Sequence, residues 1–183
     1  MEETPAAVDE QDRALVGRYL NGHSDAASAL VDRYQQRLFN VALRMLGNMQ
    51  DAEDVTQTVF QNAFLKLDTY DPKYRFFSWI YRMTVNESLN ALKRRRSVVT
   101  LEDELAIPAP GAAADDRTEA EIRVGAALRA LKPDDRAVVV LKHFASFSYE
   151  EIAEVLEIPV QTVKSRLFTA RERLRHNLRE RGE

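Results

Sequence analysis

The sequence predicts an all-α protein of two small helical domains joined by a flexible acidic linker, the second domain carrying a helix-turn-helix. Three observations predict it. Apolar residues recur at helical spacing almost throughout, and no Asn-Gly turn between alternating residues marks a hairpin. The stretch 97–118, SVVTLEDELAIPAPGAAADDRT, loses that period and fills with Pro, Ala, Gly and acid, the composition of a linker. Beyond it, Ser148 to Arg175 reads as two helices broken at Glu157-Ile158-Pro159.

Residues 1–10 are expected to be disordered and the first domain to span 11–96, with helices near 11–21, 25–46, 51–68 and 76–96. Gly22 and Gly47 fall where helix C-terminal caps belong, because glycine takes the left-handed conformation without a Cβ clash. Asp51 and Asp54 open the third helix, where negative charge suits the helix dipole. The second domain, 119–183, resumes with helices near 119–131, 134–144, 149–156 and 160–178, Pro133 opening the second of these. Ser148 and Glu151 have capping-box spacing. Tyr149, Ile152, Ala153 and Leu156 form one buried face. In the last helix Val160, Val163, Leu167, Ala170 and Leu174 form the apolar stripe. Each domain buries only a modest core, so partners are expected to help order the whole.

The net charge of −3 conceals segregation. Residues 1–29 carry a net −4 and 97–119 a net −5, whereas 30–96 carry +4 and 120–183 carry +2. Lys73 to Arg96 holds 7 basic residues against 1 acidic, and Val160 to Arg181 holds 7 against 2. Two basic surfaces separated by an acidic connector point to two contacts with a polyanion. The absence of cysteine excludes disulfides and thiolate metal sites. His23, His143 and His176 are scattered without metal-ligand spacing, and no cofactor is expected. No apolar run approaches the ~20 residues of a membrane span, and the acidic start is unlike a signal peptide. A cytoplasmic protein with no membrane insertion is the expectation.

Within Asp71 to Arg96, Phe77, Tyr81, Val85, Ser88 and Leu92 share one helical face, a core seam. Trp79, Met83, Asn86, Asn90 and Lys93 share the opposite face. An indole, two amides and an ammonium in one row suit unpaired bases: aromatic faces stack, amides bond base edges and cations hold the backbone. The alternative is that Trp79 packs against a neighbouring helix and Lys93-Arg94-Arg95-Arg96 is a solvated helix end. In Asp51 to Phe64, three carboxylates within four residues fit helix capping better than a metal site, since no His or further carboxylate joins them. Val55, Val59 and Leu65 can face inward there, leaving Asp54, Gln57, Thr58 and Gln61 as a polar outer face.

On the last helix Gln161, Thr162, Ser165, Phe168 and Thr169 point away from the apolar stripe. Hydrogen-bonding groups there can read base edges, while Lys164, Arg166, Arg171 and Arg173 can meet phosphates. The competing reading is an ordinary helical hairpin with a basic solvated face.

Five stretches in order decide between these readings: LVGRYLNG followed by LVDRYQQRLFNVALRMLG, DAEDVTQTVF, FFSWIYRMTVN, KPDDRAVVVLKHF, and SYEEIAEVLEIPVQTVKSRLFTARERLR. Together they resemble the extracytoplasmic-function (ECF) sigma factors, over roughly residues 12–96 and 120–178. The resemblance implies an alternative sigma factor without catalysis of its own. Such a protein binds core RNA polymerase (β′ clamp helices and β flap), recognises promoter DNA, and promotes strand opening. The implied clamp contacts are Asp51, Asp54, Gln57 and Gln61. The minus-ten single strand would meet the loop Tyr70 to Phe76, with Lys73 and Arg75, then Trp79, Arg82 and Asn86, and the backbone cations Lys93 and Arg94. The duplex minus-thirty-five element would meet Gln161, Thr162, Lys164, Ser165, Arg166, Phe168, Arg171 and Arg173. An anti-sigma factor is a further implied partner. Thr58 stands where an acidic residue commonly follows the glutamine, and Thr169 where many members carry Arg. These departures weaken the implied clamp contact slightly and leave a phosphate or base contact missing upstream.

Two other classes compete. A free-standing helix-turn-helix regulator would bind duplex DNA as a dimer, yet no heptad seam is evident. An enzyme of nucleic-acid metabolism would need a Gly-rich phosphate loop, metal cluster or nucleophile–base pair, and none is visible.

Overall fold

The computed structural model describes residues 5–102 and 118–180, with side chains placed over 7–95 and 118–177. These residues form eight α-helices and one short 3₁₀ turn. Helices α1 (Pro5–Leu20), α2 (Asp25–Leu46), α3 (Met49–Leu65) and α4 (Phe76–Glu102) build the first domain, with the 3₁₀ turn at Leu67–Thr69. Helices α5 (Glu119–Arg129), α6 (Pro133–His143), α7 (Tyr149–Leu156) and α8 (Val160–Glu180) build the second.

Local sequence explains most boundaries. Gly47 adopts φ +73 and caps α2 by donating its N–H to Leu43 O. The Asn48 side chain accepts from Asp51 N, so α3 starts two residues before Asp51, the expected first residue. Thr118 with Glu121 and Ser148 with Glu151 form reciprocal capping boxes at α5 and α7. Three expectations are corrected. α1 begins at Pro5, inside the segment expected to be disordered, as proline's fixed φ suits a first helical turn. α4 continues to Glu102, taking six residues of the expected linker. Leu65 is 79% exposed at the last position of α3, where the chain leaves the helix for the 3₁₀ turn. The remainder of the linker, 103–117, lies outside the described residues.

In the first domain Leu30, Tyr34, Leu38, Val41 and Met45 of α2 pack with Val55 and Val59 of α3 and Ile80 and Val85 of α4. α1 is pinned by a buried polar contact: Tyr34 donates its hydroxyl to Asp12, and Arg33 Nη1 donates to Asp12 Oδ1 at 2.7 Å. Burial pushes the Asp12 carboxyl above its ordinary range despite the pull of Tyr34 and Arg33. In the second domain Val138, Val140 and Leu141 of α6 pack with Ile152 and Val155 of α7 and Val163, Leu167 and Ala170 of α8.

The two domains touch along a seam. Phe147 lies between Phe77 (ring centroids 4.6 Å) and Tyr81 (4.8 Å) of α4. Arg136, 4% exposed, donates to Met45 O at the end of α2 and to Arg129 O and Leu131 O in its own domain. The Arg44 guanidinium sits over the Phe144 ring at 4.6 Å. A Cβ on Gly47 would stand 3.0 Å from Arg129 Cδ, so that glycine serves both the cap and the close approach.

Candidate nucleic-acid and polymerase interfaces

The outer face of α3 carries Asp54, Gln57 and Gln61 exposed in one row, while Val55 and Val59 point into the core. Helical spacing accounts for the division. A groove of about 470 Å³ runs beside this row, lined by Gln35, Phe39, Thr56, Gln57 and Phe60 among others. Asp51 stands apart from the row. It lies at the capped start of α3 and pairs with Arg95 of α4 at 3.2 Å. That pairing links the expected clamp face to the basic run, and sequence spacing gave no sign of it.

The loop before α4 is held from within. Tyr70 is 8% exposed and donates its hydroxyl to Tyr74 O at 2.6 Å, and the Asp71 carboxylate accepts from Lys73 N. Phe76 is 1% exposed, so of the expected strand contacts it supports the loop from the core and presents nothing outward. The expected stacking face is similarly modified. Trp79 is half-buried, its ring 5.5 Å from Tyr70 and 5.7 Å from Phe76. Met83 is half-buried as well, which leaves Asn86, Asn90 and Lys93 as the exposed part of the row. Tyr74, 62% exposed, and Lys73 form the outward tip of the loop. Arg94 is exposed and pairs with Glu87 at 3.0 Å.

Arg75 and Arg82 face the second domain. Arg75 Nη1 donates to Glu151 Oε1 at 3.0 Å, with its guanidinium 5.0 Å from the Phe77 ring. Arg82 donates to Glu157 Oε1 at 2.7 Å, Glu154 O at 2.8 Å and Val155 O at 3.3 Å. Partial burial raises the Glu151 carboxyl, but the Ser148 backbone and Arg75 outweigh it and hold it below the usual carboxylate range. These cross-domain partners are 72 to 76 residues apart in sequence, and no local signal reveals them.

In α8 the expected stripe is buried at Val163, Leu167 and Ala170 and half-buried at Val160 and Leu174. Gln161, Lys164, Ser165, Phe168 and Thr169 are exposed, with Thr162 and Arg166 half-buried beside them. Phe168 is 70% exposed and so is not packed onto the first domain. Ser165 donates its hydroxyl to Thr162 O at 3.0 Å, leaving its oxygen lone pairs outward as acceptors. Arg173 pairs with Asp135 at 2.7 Å, and Arg171 lies 3.3 Å from His143 Nε2. Burial first, then Arg171 and Lys142, holds the His143 ring below its usual range. Among the described residues no three His, Asp or Glu side chains gather where a metal could be held, and no helix is long and apolar enough to cross a membrane.

Comparison with known proteins adds two family matches in chain order: Sigma-70 region 2 over residues 30–98, and Sigma-70, region 4 over residues 121–174. The chain is 34% identical to the ECF RNA polymerase sigma factor SigW of Bacillus subtilis (strain 168), over 87% of this chain and 92% of that protein. It is 34% identical to the RNA polymerase sigma-H factor of Pseudomonas aeruginosa, over 90% and 92% of the two chains. Among solved structures it resembles CnrH in complex with the cytosolic domain of CnrY, with a TM-score of 0.73, 27% identity, and coverage of 92% and 97%. It also resembles the sigma factor RpoE in complex with the anti-sigma factor NepR from Bartonella quintana, with a TM-score of 0.69, 25% identity, and coverage of 83% and 96%.

Proposed function

The chain belongs to the ECF RNA polymerase sigma factors, an alternative sigma factor of transcription initiation, and on that basis we propose how its residues divide the work. Helices α1 to α4 dock core polymerase and capture the minus-ten strand, and α5 to α8 read the duplex minus-thirty-five element. Asp54, Gln57 and Gln61 meet the β′ clamp helices, with Asp51 reaching the same surface from its pair with Arg95. The β flap is the contact for the second domain. The protein carries out no catalysis itself. It works in the cytoplasm, where the polymerase and promoter are, and an anti-sigma factor holds it inactive.

Strand opening follows from the first domain's chemistry. A base leaving the duplex loses stacking and pairing worth a few kcal/mol, which captured single-strand contacts must offset. The Asn86 amide offers both a donor and an acceptor to a base edge. Trp79, held by Tyr70 and Phe76, keeps part of its surface exposed for contact with the captured strand. Lys73, Arg75, Arg82, Lys93 and Arg94 neutralise the backbone, and Tyr74 adds an exposed ring at the loop tip. In the second domain, Gln161, Thr162, Lys164 and Ser165 open α8 at the height of the base edges. Arg166, Arg171 and Arg173 meet phosphates, and Phe168 meets a thymine methyl or sugar.

The observation that carries this reading is the exposed α3 row and the exposed α8 face, the first within the Sigma-70 region 2 match and the second within the region 4 match. Run-off transcription from a candidate promoter with bacterial core polymerase, with and without the protein, tests it. Transcripts that require both are expected. DNA binding without dependence on core polymerase would replace this reading with the free-standing regulator.

A further inference from the structure

We propose that the aromatic cavity between α2, α4 and the loop after α6 binds a small single-ring aromatic carboxylate, at a site separate from the polymerase and promoter contacts. The ring lies among phenylalanines and the carboxylate on Arg37.

The cavity holds about 230 Å³. An apolar cavity of about 150 Å³ is enough to admit benzene, so there is room here for one ring and a carboxylate. The walls are largely aromatic. Phe77, Tyr81 and Phe147 pack with their centroids 4.6 to 4.8 Å apart, and all three line the space. Phe144 lines it too, with the Arg44 guanidinium 4.6 Å from its ring centroid. Ser146 takes φ +61, a conformation that L side chains rarely adopt, in the turn that brings Phe144, Ala145 and Phe147 to the cavity. Rings in such walls favour an aromatic occupant through offset and edge-to-face contacts.

The polar side chains of the cavity are Arg37, Asn40 and Tyr81; each can donate, and the lining holds no carboxylate. Arg37 is exposed and makes no hydrogen bond or ion pair among the described residues. Asn40 Oδ1 accepts from Gln36 Nε2 at 3.1 Å, which leaves the Asn40 amide nitrogen to donate. Tyr81 is only 2% exposed, yet its hydroxyl has no hydrogen-bond partner among the described residues. A buried hydroxyl left so costs free energy that an acceptor on a ligand would recover. Burial pushes the Tyr81 phenol up to about 12 against the opposing pull of Arg37, so the hydroxyl keeps its proton and stays a donor. A cation, an amide and a phenol on one cavity, with no acid of the protein to satisfy them, select an anion. A carboxylate suits the guanidinium, which can grip it through two parallel bonds.

Both domains build the site: α2 and α4 supply one side and the segment Phe144 to Phe147 the other. The ligand therefore binds only where the domains touch, and binding must stabilise that contact by mass action. The chain can thereby respond to the concentration of an aromatic acid without a separate sensor.

The test titrates the full chain with phenylacetate, using benzyl alcohol as the uncharged control and cyclohexylacetate as the non-aromatic one. Calorimetry should give saturable one-site binding of phenylacetate with a Kd of about 0.1–1 mM. Its ring protons should show NOEs to the methyls of Val41, which lines the cavity. Benzyl alcohol should bind about tenfold more weakly for want of the charge, and cyclohexylacetate several-fold more weakly for want of the ring. Arg37→Ala should weaken phenylacetate about tenfold without changing the melting of the unliganded protein, because that side chain is exposed and unpaired. Ala145→Leu, which fills the cavity, should abolish binding; if that variant melts early, Arg37→Ala and the NOEs decide alone. No saturable binding at about 10 mM phenylacetate would overturn the site. Binding that both variants leave unchanged would overturn it as well. Benzyl alcohol or cyclohexylacetate binding as tightly as phenylacetate would overturn the assignment to an aromatic carboxylate.

Discussion

The Trp79 indole lies 5.5 Å from the Tyr70 ring at an interplanar angle of 51°, and Phe76 closes the cluster 5.7 Å away. The residue proposed to contact the captured strand is thus also a structural support for the loop before α4. Trp79→Ala should cost about 1–3 kcal/mol of unfolding free energy, a half-buried share of a large-to-small substitution. Asn86, exposed on the same helix, should cost almost nothing when changed to alanine. Urea unfolding of the two variants separates them. Equal stability would mean that the aromatic cluster contributes no support.

Core binding should rest on α3. Charge reversal at Asp54 combined with Gln57→Ala should abolish co-purification with core polymerase while circular dichroism stays unchanged. Both side chains are exposed and their loss removes no buried contact. Undiminished co-purification would remove this row from the interface.

Duplex reading should divide within α8. Lys164 or Ser165 substitutions should cost about 1–3 kcal/mol of discrimination between upstream sequences, whereas Arg171→Ala and Arg173→Ala should weaken all sequences alike. Because Asp135 holds Arg173 at 2.7 Å, Asp135→Asn should strengthen binding uniformly at low salt. Competition binding with permuted upstream duplexes measures both effects. Unchanged preference in the Lys164 and Ser165 variants would mean that α8 lies otherwise on the DNA.

His143 gives a pH signature. Its folded-state pKa is depressed by burial, Arg171 and Lys142, so the folded chain binds fewer protons than the unfolded chain. Its contribution to stability is present above the ordinary value of 6.5 and is lost as pH falls through the depressed one. The His143 ring should titrate below 6.5 by NMR, and Arg171→Ala should move the midpoint upward. No movement in that variant would leave burial and Lys142 as the causes.

Arg136 should couple the domains. Arg136→Leu leaves the Met45, Arg129 and Leu131 carbonyls without their guanidinium donor, at a cost of about 2–4 kcal/mol. Thermal melting should fall, and amide exchange should accelerate at the end of α2 as well as within α6. Faster exchange confined to the second domain would deny the coupling.

What the sequence made legible was local. Helical period places Val55, Val59, Val163 and Leu167 inward, Gly47 announces a cap, and Ser148 with Glu151 announces another. The exposed face of α8 follows from the same period. What escaped depends on distant partners. Arg136 stands in KPDDRAVVV like any surface arginine, yet its acceptor on Met45 is 91 residues away. Nothing near Asp12 tells that Tyr34 buries it, nor anything near Arg82 that Glu157 will meet it. Leu65 matched the inward period, but the helix stops there and the side chain stays in solvent. Trp79 fell between the two readings its spacing allowed, since it packs on Tyr70 and Phe76 while keeping part of its surface outward.

Permanganate reactivity of promoter thymines in holoenzyme complexes reads strand opening most directly. With wild-type protein the thymines of the minus-ten region should become reactive. Asn86→Ala should bind core polymerase and form near-normal closed complexes, yet leave those thymines unreactive. A pre-melted bubble should restore much of the Trp79→Ala defect, because unpairing no longer has to be driven, and less of the Asn86→Ala defect, because base capture is still missing. Wild-type reactivity in both variants on duplex promoter would contradict the assignment, and strand opening would have to be driven from another surface.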